Sequence, residues 1–129
     1  MPTASEAARS MLQHATSAQQ TENPMIPMHE TLAEYLESWR EELADVRRAS
    51  DHTCAAYGND VDGFLFFLQQ HVGEALSLDH IAALETREVR AWLASRHKAG
   101  MAASSNARAL SSLRNFLQFL HRHAGLYGG

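Results

Sequence analysis

From His29 onward the apolar residues fall at Leu32, Leu36, Trp39, Leu43 and Val46, in steps of four, three, four and three. That spacing keeps one face of a helix apolar and predicts an amphipathic helix over about 30–47. A second stripe of Cys54, Tyr57, Val61, Phe64, Leu65, Leu68 and Val72 follows Ser50, a good N-cap, and Asp51, whose charge suits the positive end of the helix dipole. Phe66 and Phe67 make the second half of this helix apolar nearly all round, which predicts a central place in a bundle. Gly73 is a natural stop, Leu78-Asp79-His80-Ile81 reads as a short helical turn, and Thr86 reads as the cap of a helix over about 87–98 with Val89, Trp92 and Leu93 inward. Gly100 stands where a left-handed C′ residue would close that helix. The last stripe is Leu110, Leu113, Leu117 and Leu120, widened by Ala109 and Phe116.

No segment alternates apolar and polar residues as a strand would, and no repeat is visible, so the expected fold is all-α: four main helices in an orthogonal bundle with one short extra turn. At 129 residues the chain holds one domain and a tail. Residues 1–28, rich in Ala, Ser, Thr and Gln and containing Pro24 and Pro27, read as a disordered leader. The domain then runs over 29–126, and 127–129 read as the start of a linker. The longest apolar run, Phe64 to Leu68, is far short of a membrane span, and the amino terminus lacks the basic flank and apolar block of a secretory signal. The expected location is the cytoplasm. Cys54, the single cysteine, excludes an internal disulfide.

Charge changes the picture more than composition does. The net charge is −4, but residues 1–28 carry −1, residues 29–86 carry −9 and residues 87–129 carry +6. Such asymmetry suits a polyanion meeting the C-terminal half. No acidic residue occurs between Ser104 and Gly129, while the polar face of the last helix offers Arg108, Ser111, Ser112, Asn115, Gln118 and Arg122, with Arg114 on its flank. A solvated face normally mixes both signs, so arginines among short hydrogen-bonding groups point to duplex DNA. The start of the second long helix adds a low-profile polar surface at Thr53, Ala56 and Asn59. Gly58 costs that helix about 1 kcal/mol against Ala, for no reason visible in the sequence. Ser104 or Ser105 reads as the cap of the last helix, a place that also suits a phosphate. Arg108 fits either a phosphate or a guanine edge, and Arg114 fits either a phosphate or an ion pair with a neighbouring helix. The competing reading is a protein-interaction module whose working surface is the acidic first helix, with Glu30, Glu34, Glu37, Glu41, Glu42 and Asp45 outward.

Eight histidines and fifteen carboxylates raise the question of a metal or acid–base site. His121 and His123 are two apart, as are His52 and Cys54, whereas metal pairs on a helix need three or four. Asp60 and Asp62, or Glu41, Glu42 and Asp45, lack a neighbouring base or a glycine-rich turn and read as surface charge. Tyr57 belongs to an apolar stripe, and no nucleophile elbow or phosphate loop occurs. The expectation is no catalytic residue, no metal and no cofactor in this chain.

Ser50-Asp51-His52-Thr53 followed by Tyr57 and Asp60, and then Gly100, Ser105, Arg108, Leu110-Ser111, Leu113-Arg114 and Phe116, resemble the N-terminal SAM-like, core-binding domain of tyrosine recombinases, especially the bacterial Xer type. The resemblance covers about residues 29–126. It implies a helical clamp on one face of duplex DNA, with the second and last long helices at the major groove and Thr53, Ala56, Ser104, Ser105, Arg108, Ser112 and Asn115 facing it. It further implies a role in chromosome dimer resolution or DNA integration, as part of a synaptic tetramer of recombinase protomers on two duplexes. The family's tyrosine nucleophile and its arginines, histidine and lysine belong to a separate C-terminal domain that this sequence does not contain. Gly58 and Asn59 stand where the family usually has basic residues, which lowers the affinity expected of the isolated domain.

Overall fold

The computed structural model describes residues 26–45 and 50–125. They form five helices: α1 (Glu30–Asp45), α2 (Asp51–Val72), α3 (Leu78–Ala82), α4 (Thr86–Lys98) and α5 (Ala103–Ala124). The fold is an all-α, SAM-like bundle. Its leader and linker expectations, and the end of α1 beyond Asp45, lie largely outside the described residues. Ile26, within the segment read as leader, is buried against the core. His29 N–H donates to Leu76 O and Leu76 N–H to Pro27 O, which pins this entry segment to the loop between α2 and α3.

α2 and α5, 22 residues each, make the most extensive helix–helix contact, and α1 and α4 each pack against both. A 22-residue helix is about 33 Å long, so this pair spans the domain. Trp39, Phe64, Leu65, Leu113, Phe116 and Leu120 lie at the centre, with edge-to-face ring pairs Trp39–Phe116 and Phe64–Trp92 at 5.2 Å. No helix among the described residues is long and apolar enough to cross a membrane.

Local signals set most helix ends. Ser50 Oγ accepts from Thr53 N–H, and Gly73, at φ +80°, closes α2 by donating to Gln69 O. α4 ends in a Schellman arrangement: Gly100, at φ +95°, donates to His97 O and Met101 N–H to Arg96 O. Two expected caps differ. Glu85, not Thr86, precedes α4, because its N–H is satisfied by Glu88 Oε1 at 2.7 Å. Ala102, not Ser104 or Ser105, precedes α5, and it offers no side-chain acceptor. Phe66 also departs from its expected central place and is exposed.

The larger difference is the roll of α5 about its axis. Its buried stripe is Ala109, Ser112, Leu113, Phe116, Phe119 and Leu120, whereas Leu110 and Leu117 are only half-buried at the flank. The inward direction is therefore turned toward Ser112 and Asn115, two residues expected on the polar face.

Candidate nucleic-acid interface

Where α2 crosses α5, Asp60 is 4% exposed, an ionisable side chain inside the core layer. Arg108 meets it with both edges of one fork: Nε donates to Oδ2 at 2.8 Å and Nη2 to Oδ1 at 2.9 Å. Ser112 Oγ lies 2.9 Å from Asp60 Oδ2 and 2.9 Å from the Arg108 carbonyl, and its single proton serves one acceptor at a time. The arrangement is a bidentate, charge-assisted pair with a hydroxyl behind it. The hydrogen bonds to Asp60 raise the Arg108 pKa above arginine's already high ordinary value, against the opposing effect of its own partial desolvation. The Arg108 side chain is nonetheless 42% exposed, so part of it meets solvent.

The structure leaves some of the expected residues open to solvent and buries others. Thr53, Asn59, Ser104, Ser111 and Arg114 are exposed, and Ala56 and Ser105 are half-buried. Arg114 forms no ion pair with a described residue, which removes the neighbouring-helix partner considered for it. Ser112 is fully buried and cannot face a groove. Its outward placement is corrected because a partner helix supplies the acceptor that makes burying a hydroxyl tolerable. Asn115 is half-buried, and its Oδ1 accepts from Trp39 Nε1 at 2.8 Å. Arg122 pairs with Glu42 on α1 at 2.7 Å, and His123 approaches the same carboxylate at 3.6 Å, so these groups tie α1 to the end of α5.

Reading Asp60 and Asp62 as surface charge is also corrected. Asp62 is 17% exposed and binds Arg40 Nη2 at 2.5 Å; burial raises its pKa, only partly offset by the charge and hydrogen bond of Arg40. Arg96 is a further residue missed in sequence. Its Nε donates to Asn106 Oδ1 at 2.8 Å, Asn106 Nδ2 donates to Leu93 O at 3.2 Å, and its guanidinium lies 5.4 Å from the Trp92 ring centre. This bracket fixes where the first turn of α5, with Ser104 and Ser105, emerges from α4. No periodicity marks such pairs, since each joins two elements. A groove of about 190 Å³ is lined by Ile26, Met28, Ala33, Leu36 and Glu37, with Arg40 and Asp62 at its side paired to one another. Among the described residues, no three His, Cys, Asp or Glu side chains are grouped as a metal site.

The family model for the phage integrase N-terminal SAM-like domain matches residues 36–124, which include the whole α2–α5 crossing. The chain belongs to the phage integrase N-terminal SAM-like family. It is similar to the tyrosine recombinase XerC of Rickettsia typhi, 36% identical over 92 residues, or 71% of this chain and 30% of that protein. XerC of Rickettsia rickettsii is 37% identical over 87 residues, covering 67% of this chain and 28% of its own length. XerC of Rickettsia bellii is 34% identical over 96 residues, covering 74% and 32%. The chain thus spans about three-tenths of the length of these curated relatives. No solved structure matches. In this tyrosine-recombinase core-binding domain of the Xer type, Asp60 and Arg108 both lie within the matched residues 36–124.

Proposed function

We propose that this domain binds duplex DNA as the N-terminal clamp of a site-specific tyrosine recombinase, in chromosome dimer resolution or DNA integration in the cytoplasm. The first half of α2, with Thr53, Ala56 and Asn59, and the first half of α5, with Ser104, Ser105, Arg108, Ser111 and Arg114, form the contact surface. One observation carries this reading: a guanidinium held in a fixed orientation by a buried carboxylate, with its remaining donors turned outward among small polar groups. Such a group is prepaid in conformational entropy and suits an anionic acceptor. Ala102 leaves the first N–H groups of α5 without a side-chain cap, and they add donors of the kind phosphates use. Strand exchange belongs to residues outside the matched segment, and further recombinase protomers join on the DNA.

Amide chemical-shift mapping with a short duplex tests the proposal. The expected result is movement concentrated in residues 51–60 and 103–114, with affinity falling linearly in log–log form as salt rises. No shifts at low salt, or shifts only on α1 with a protein partner, would overturn it.

A further inference from the structure

Arg108 is bonded through two of its five N–H groups to a buried carboxylate, which leaves only part of its donors and charge for a ligand. Asp60 is 4% exposed, with Ser112 Oγ 2.9 Å behind it, so its carboxylate is shut away from water on the far side of Arg108. A phosphate against the outer edge of Arg108 would lie roughly 4 Å from the guanidinium and about twice as far from Asp60. By the inverse-distance law the carboxylate then cancels about half of the attraction.

We infer that Asp60 is a specificity-determining residue of the DNA face: it aims Arg108 in one direction and discounts its unspecific pull on phosphate. The inference rests on the DNA-clamp reading above. A free arginine follows any nearby phosphate and so strengthens binding to every sequence alike. Arg108, aimed and half-neutralised, gains its full hydrogen bonds only from an acceptor at one position. That position is reached when the duplex has the right register and shape, so the pair lowers unspecific binding more than site-specific binding. Asp60 acts through Arg108 and is a positioning group without contact to DNA of its own.

The test is fluorescence anisotropy of the 129-residue chain over a salt series on two probes, a random-sequence duplex and a duplex enriched from a randomised pool by the wild-type chain. Asp60→Asn is expected to tighten the random duplex roughly threefold to tenfold and to steepen its salt slope by about 0.5, below the ~0.9 of a whole phosphate contact. The ratio of enriched to random affinity falls by a similar factor. Ser112→Ala keeps the ion pair but removes the hydroxyl behind it, and moves that ratio the same way by less; it carries the test where Asp60→Asn fails to fold. An unchanged or larger ratio in a folded variant, or a pool that enriches no duplex, overturns the inference. A wild-type chain that binds neither probe at low salt instead refutes the DNA-clamp reading itself.

Discussion

Gly58 on α2 lies against Arg40 on α1: a Cβ at position 58 would collide with Nη1 of the guanidinium that holds Asp62. The glycine that weakens its helix therefore makes room for an interhelical ion pair with both side chains largely buried. Gly58→Ala gains about 1 kcal/mol of helix propensity. It also displaces Arg40 from a carboxylate that has little other solvation, a loss of roughly 2–3 kcal/mol. The expected net effect is a destabilisation of about 1–2 kcal/mol in urea unfolding. In an Arg40→Ala background the same substitution should become stabilising, and a double-mutant cycle that shows no such reversal would contradict the arrangement.

Asp62 gives a pH dependence of unusual sign. Burial raises its pKa above the ordinary 3.8, so the native state holds this proton more tightly than the unfolded chain. Its favourable contribution is complete below the unfolded value and is lost as pH rises through the folded one. Asp62→Asn, which cannot ionise, should therefore gain stability relative to the wild type as pH rises across that window, then level off. Unfolding curves at a series of pH values check this. A variant that loses ground as pH rises would mean that attraction to Arg40 outweighs burial.

Half-buried Asn115 is tied to the core through Trp39. Removing its acceptor strands an indole N–H on a tryptophan that is fully buried, so Asn115→Ala should cost roughly 1–3 kcal/mol. Trp39→Phe combined with Asn115→Ala should cost less than the sum of the two. At temperatures well below the melting transition, DNA affinity of Asn115→Ala should stay at the wild-type value, a result that a groove-facing Asn115 would not give.

Ser104 offers opposite signs for stability and binding. Aspartate at position 104 places a negative charge in the uncapped first turn of α5 and should stabilise the domain by about 0.5 kcal/mol. The same charge facing a phosphate at close range costs roughly 1 kcal/mol, or about fivefold in affinity. A thermal melt and a duplex titration of one variant, Ser104→Asp, measure both. If stability and affinity rise together, this end of α5 does not face DNA.

Much of the fold was legible in the chain because helical period, caps and glycine stops are local. Leu32, Leu36, Trp39 and Leu43 recur at the helix repeat wherever α1 is placed, Ser50 caps α2 with its own third neighbour, and Gly100 turns the chain at a positive φ that its lack of a Cβ permits. The charge asymmetry and the spaced motifs that match the phage integrase SAM-like family are likewise properties of sequence alone.

The roll of α5 was decided only by tertiary structure. Hydrophobic period counts Ser112 and Asn115 as polar and turns them outward, but a polar side chain is buried without great cost once another element supplies its partner. Those partners are remote: Asp60 is 52 residues from Ser112, and Trp39 is 76 from Asn115. The same holds for Asp60 and Arg108, two opposite charges 48 residues apart whose meeting converts an apparent surface acid into the buried support of the candidate DNA contact. Sequence determined which segments are helices and which sign of charge they carry. Packing α2 against α5 decided which polar groups remain available to a ligand, because hydrogen-bond satisfaction inside a core depends on contacts between elements and leaves no trace in either element's own pattern.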